Sequence, residues 1–146
     1  MNMEAAMTDD KPKPPNLDLI QLVQKARMAY DREALPSNVS AIYWIESKPL
    51  IDVPAPTPRA GEWRIETTVS EVDALWIKIR QATEAGKLGY KSKVSTSPAK
   101  GQSSMDDRLI VVRTRDADDA ADVARVERAL REMGITAMHY ERIAET

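Results

Sequence analysis

Lys91 and Lys93 stand two residues apart in Lys91-Ser92-Lys93-Val94-Ser95-Thr96, and Arg113 with Arg115 closes the run that begins Leu109-Ile110-Val111-Val112. In an extended strand, that spacing sends both members of a pair to the same face. Between the two segments lie Lys100 and a set of small or hydroxylated residues, Ser97, Gly101, Ser103 and Ser104. From Lys87 to Arg115, seven cations (Lys87, Lys91, Lys93, Lys100, Arg108, Arg113, Arg115) meet only Asp106 and Asp107. The chemistry such a segment suits is the holding of phosphate oxygens, where each charge-assisted hydrogen bond is worth about 1.5–3 kcal/mol. The expected ligand is a phosphorylated or nucleotide-like small molecule, or a phosphopeptide, held by Lys91, Lys93, Lys100, Arg113 and Arg115. A plainer reading uses the same residues: a solvated loop, with lysines that keep a sheet face and its edge soluble. The two readings part on geometry, because a phosphate site needs the cations to converge in one hollow.

Composition narrows the remaining chemistry. The chain has no cysteine, which removes thiolate nucleophiles, disulfides and cysteine-ligated metals, and His139 is its only histidine. Asp116, Asp118, Asp119 and Asp122 crowd the start of the last helical pattern, where the helix dipole favours them. Their spacing does not make a converging ligand set, so neither a metal nor another cofactor is expected. The net charge of −2 argues against general coating of nucleic acid, since any attraction to phosphate must come from one local patch. No run approaches the roughly 18 apolar residues of a membrane span, and the N-terminus lacks a signal-peptide pattern, so no membrane association is expected and the cytoplasm is the expected address.

The elements that must position these residues can be read from periodicity. Residues 1–15 combine charge and proline with few bulky apolar groups and are expected to be a disordered leader. Residues 16–146 are expected to form one α+β domain. Asn16 is a candidate cap for an amphipathic helix carrying Leu19, Ile20, Val23, Ala26 and Tyr30, which stops at Leu35-Pro36. Ala41 to Glu46 reads as a strand, and the prolines at 49, 54, 56 and 58 make an extended loop. Glu62 to Thr67 alternates with period two, placing Trp63 and Ile65 on the core side and Glu62, Arg64 and Glu66 on a wet face. Ser70 is expected to cap a second helix whose stripe is Val72, Leu75, Trp76 and Ile79, ending at Gly86. Two strands follow, around Lys91–Thr96 and Leu109–Arg113, joined by a flexible Ser97–Ser104 loop. Asp116 is expected to cap a last helix with the stripe Ala120, Val123, Val126, Ala129, Leu130 and Met133, before a closing strand at Ala137–Tyr140.

The order of short motifs carries a resemblance. Tyr43-Trp44-Ile45, Gly61-Glu62-Trp63, a helix with Leu75-Trp76, Lys93-Val94-Ser95, and Asp107-Arg108-Leu109-Ile110-Val111-Val112 leading into a long helix resemble the cap-binding-initiation-factor-like fold. Within that fold the chain is most similar to the small family of the basophilic leukaemia-expressed protein and its bacterial relatives, some of which are described as phosphothreonine lyase domains. The likeness spans roughly residues 40 to 142, an ordinary domain size. It implies a curved antiparallel sheet with helices packed on its convex face and a ligand groove on the concave side. Cap-binding factors hold a methylated base between two tryptophans. This sequence departs from that pattern, because Trp63 and Trp76 sit on core stripes and the loop before Gly61 has no tryptophan, which leaves Trp44 as the stacking platform. The lyase relatives imply an elimination chemistry with Lys93 as base, His139 as acid, and Arg113 with Arg115 as phosphate clamps. A third expectation, of a different class, is a protein-interaction or inhibitor module docking through the first helix or the Pro49–Pro58 loop.

Overall fold

The computed structural model describes residues 17–143, so the leader expected at 1–15 lies outside the described residues. Along the chain run α1 (Leu17–Glu33), a 3-10 turn (Pro36–Asn38), β1 (Trp44–Ser47), β2 (Gly61–Thr68), α2 (Val72–Glu84), β3 (Lys91–Ser95), β4 (Asp107–Thr114), α3 (Ala120–Glu132) and β5 (Met138–Arg142). The strands form one five-stranded sheet in the order β1-β3-β4-β2-β5, with every neighbouring pair antiparallel. The class is therefore α+β, an antiparallel sheet with three helices. No described helix is long and apolar enough to cross a membrane.

One face of the sheet is closed by α2 and α3. Val72, Trp76 and Ile79 of α2 and Val126 and Leu130 of α3 pack on Ile45, Trp63, Ile65, Val94, Ile110 and Val112, nearly all at zero exposure. Each aliphatic side chain buried there stabilises the fold by about 1.5–3 kcal/mol. The Trp63 indole N–H donates to the Val123 carbonyl at 3.2 Å, so the large side chain is held in the core by a polar tether as well as by packing. Ser92 also turns inward, its hydroxyl 2.7 Å from that of Thr83 on α2. Strand alternation then sends Lys91 and Lys93 to the opposite face.

That opposite face is partly covered as well. Leu109 to Val112 are four consecutive buried residues, and Leu109 and Val111 point away from the helices into a second cluster with Ala99 and Trp44. The loop after β3 therefore folds back over the sheet and is tied down: Gln102 accepts from the Ala99 N–H at 2.7 Å and donates to the Arg108 carbonyl at 2.8 Å. Hydroxyl content suggested a freely solvated connection; the apolar contact of Ala99 decides otherwise.

Both helix starts differ from the expected caps. Ser70 does not cap α2; its hydroxyl pairs with Thr68 Oγ1 at 3.1 Å, and the cap position is Glu71, with no side-chain bond. Asp73 meanwhile accepts from the Ser37 backbone N–H at 3.0 Å and from the Ser37 hydroxyl. At α3 the cap is Asp119, which accepts from the Asp122 N–H, because Asp116 is taken by Arg59 and by the Asp118 N–H. Distant partners thus hold Asp116 and Asp73, whereas Ser70 is paired with Thr68 only two residues away. In α1, Leu19, Ile20 and Val23 are exposed rather than buried.

Candidate functional site

The face away from α2 and α3 gathers charged residues from all five strands. Register places Glu46, Lys93, Val111, Arg64 and His139 side by side on one rung across β1, β3, β4, β2 and β5. A second rung carries Lys91, Arg113, Glu62 and Glu141. Side chains on a rung share a face, so Lys91, Lys93 and Arg113 converge there, joined by Arg64. The Lys91, Arg113 and Arg64 side chains are only 21%, 22% and 24% exposed, which limits their screening by water.

The centre of this array is a carboxylate. Glu62, read from the sequence as part of a wet face, has a side chain only 9% exposed and lies between two guanidinium groups. Arg64 Nη1 reaches its Oε2 at 2.6 Å, and Arg113 Nε reaches its Oε1 at 3.3 Å. Trp63 pointing into the core indicated where Glu62 would point, but not that Arg113 would arrive opposite it, which depends on the register between β2 and β4. Lys91 Nζ pairs with Glu46 Oε2 at 3.1 Å, and Arg64 Nε lies 3.8 Å from Glu141 Oε2.

Lys93 is the exception in the array. Among the described residues no carboxylate lies within 4.0 Å of its ammonium, which instead sits 4.2 Å from the centre of the Trp44 ring. Its pKa is lowered, first by burial and then by the Arg113 charge, with Lys91 adding to the repulsion; Glu62 and Glu46 pull the other way. Tyr90, which the sequence reading passed over, has a phenol raised by burial and drawn back down by the charge and hydrogen bond of Arg113. The site thus holds a partly buried cation beside two others, with a phenol and an indole at its edges.

The remaining expected residues divide. Trp44 is on this face, with Lys93 at its ring, Tyr43 edge-on at 4.9 Å and Ala99, Leu109 and Val111 against it. Lys100 is exposed on the covering loop, between the buried Ala99 and Gly101. Arg115 follows the end of β4 and donates to Asp119 Oδ2 at 3.0 Å, so it is drawn to the start of α3 and away from Arg113. His139 shares the Lys93 rung, yet β4 and β2 lie between them, which at about 4.8 Å per strand separates their backbones by roughly 14 Å. Its Nε2 pairs with Glu141 Oε2 at 2.7 Å while Lys93 leans to Trp44, so the structure does not bring these two together. Among the described residues no group of three or more acidic or histidine side chains is placed to hold a metal ion.

No curated protein matches the chain. A family model does, over residues 55–143, taking in β2, α2, β3, β4, α3 and β5 and hence Glu62, Arg64, Lys91, Lys93, Arg113 and His139, while Trp44 and Glu46 fall before it. With more than half of its length matched, this chain belongs to the family of the basophilic leukemia-expressed protein Bles03.

Proposed function

We propose that the open face of the sheet binds a phosphorylated small molecule or phosphopeptide, with Lys93, Lys91 and Arg113 on the phosphate oxygens and Trp44 forming the apolar wall for the rest of the ligand. The observation that carries this reading is Lys93, a partly buried ammonium beside Arg113 and Lys91 with no carboxylate of its own among the described residues. An arriving phosphate would relieve that repulsion and gain hydrogen bonds from groups already held in place by Glu62 and Glu46. The arrangement of helices on one side and an open, charged face on the other also fits the cap-binding-initiation-factor-like fold.

Thermal unfolding in the presence of inorganic phosphate, nucleotides and phosphothreonine peptides tests the proposal. A true ligand at one hundred times its Kd stabilises by roughly 2.7 kcal/mol. Lys93→Ala should weaken that ligand by about 10- to 100-fold, the worth of one charge-assisted bond. If no phosphorylated compound shifts the transition, or Lys93→Ala binds it as well as the parent chain, the reading fails.

A second reading, a phosphothreonine-lyase-like elimination, is favoured by the lowered Lys93 pKa, since a base must be neutral to take the α proton. It requires His139 to turn from Glu141 toward the leaving phosphate, or another donor to replace it. Formation of dehydrobutyrine from a phosphothreonine peptide, followed by mass spectrometry and abolished in Lys93→Ala, is the expected sign. No product from the intact chain would exclude this chemistry for that substrate.

A further inference from the structure

β5 is an outer strand of the sheet, paired only with β2 among the described strands. The backbone bonds from Ile143 N–H to the Ala60 carbonyl and from Glu66 N–H to the Ala137 carbonyl show which groups face β2. By alternation, His139 and Glu141 also turn their N–H and C=O to β2, while Tyr140 and Arg142 turn theirs to the outer edge. This edge is firmly held: the Tyr140 ring packs at 5.0 Å on Trp63 and its hydroxyl lies 2.7 Å from Thr114 Oγ1. An ordered strand with unpaired backbone groups is a template for another strand.

The sequence of β5, Met-His-Tyr-Glu-Arg, is complementary to itself. When two copies run antiparallel about Tyr140, that residue faces its own equivalent through the outward N–H and C=O groups. His139 of each copy then stands opposite Glu141 of the other, on the open face, where both are about half exposed. Arg142 stands opposite Met138; its N–H can reach the Met138 carbonyl, the Met138 N–H being already given to Thr136. We infer that the partner of this edge is a second copy of the same chain, joined through β5 about a two-fold axis into one continuous sheet. The two open faces then lie on the same side. A register slip of one residue would turn the inward-packed Tyr140 of one copy against the outward His139 of the other, so the two-fold register is the one the side chains specify.

Sedimentation of the full chain over a range of concentrations tests this, with circular dichroism to check that each variant is folded. The parent chain is expected to show a monomer–dimer equilibrium. Glu141→Lys should weaken it roughly tenfold by removing, from both cross-strand pairs, the carboxylate that can accept a hydrogen bond from the facing His139. Glu141→Lys combined with His139→Glu sets a lysine opposite a carboxylate in both pairs and should recover the dimer. Hydrogen exchange at the Tyr140 and Arg142 amides should slow as concentration rises. A monomer at every concentration, a dimer of equal strength in all three proteins, or exchange at these amides that ignores concentration would overturn the inference.

Discussion

At the scale of single residues, the organising group is Glu62, an anion set between two guanidinium groups. It neutralises Arg64 and Arg113 and fixes their guanidinium groups, so its removal leaves two positive charges facing each other with little water between them. Glu62→Ala is expected to cost about 3 kcal/mol of stability, measured by urea unfolding, and to loosen any phosphate binding through Arg113. An unchanged unfolding midpoint would show that water replaces the carboxylate freely. Lys91, Lys93 and Arg113 were legible as candidates because cationic side chains at alternating positions need only a strand to align them. Glu62, Arg64 and Tyr90 were not, because their importance comes from neighbours supplied by other strands: Arg113 is 51 residues from Glu62 in sequence. Lys100 and Arg115 had the right charge, but one sits out on a loop and the other is drawn off by Asp119.

Elements show the same competition between local and distant partners. Asp119 caps α3 through the Asp122 N–H, so Asp119→Ala should lower stability by about 1 kcal/mol. Ser70→Ala should change it by only a few tenths, since its hydroxyl meets Thr68 and no helix N–H. Equal effects of the two substitutions in thermal unfolding would contradict these assignments. Gly89 marks another constraint at this scale: an added Cβ would lie 1.6 Å from the Arg113 carbonyl oxygen, so the turn into β3 passes too close to β4 for any side chain. The approach that demands glycine at this position arises only when β3 and β4 pair.

For the molecule as a whole, Asp116 joins distant parts of the chain. Arg59 grips its carboxylate with Nη2 at 2.7 Å and Nε at 3.2 Å, and the neighbouring Ala117 N–H donates to the Arg59 carbonyl, tying the approach to β2 to the approach to α3. The Arg59 hydrogen bond, followed by the Asp118 N–H, lowers its pKa to about 2 from 3.8. Because the folded value lies below the unfolded one, this stabilisation is complete above pH 3.8 and disappears as pH falls through about 2. Asp116→Asn should therefore flatten the loss of stability between those limits, followed as urea midpoints from pH 5 downward; a variant with the parent's full acid sensitivity would place the effect elsewhere. What the sequence determined by itself was the set of elements and, in β2, β3, α2 and α3, which residues turn to the core. The apolar stripes of α2 and α3 and the alternation around Trp63 and Ser92 follow from periodicity, which acts over a few residues and needs no partner. Tertiary structure alone decided the strand order β1-β3-β4-β2-β5, the register that sets Arg113 opposite Glu62, and the folding of Ala99 over Trp44. Those depend on which strands find one another across the chain, and they set Glu46 on Lys91 and Glu62 on Arg64 and Arg113, with no carboxylate among the described residues within 4.0 Å of the Lys93 ammonium.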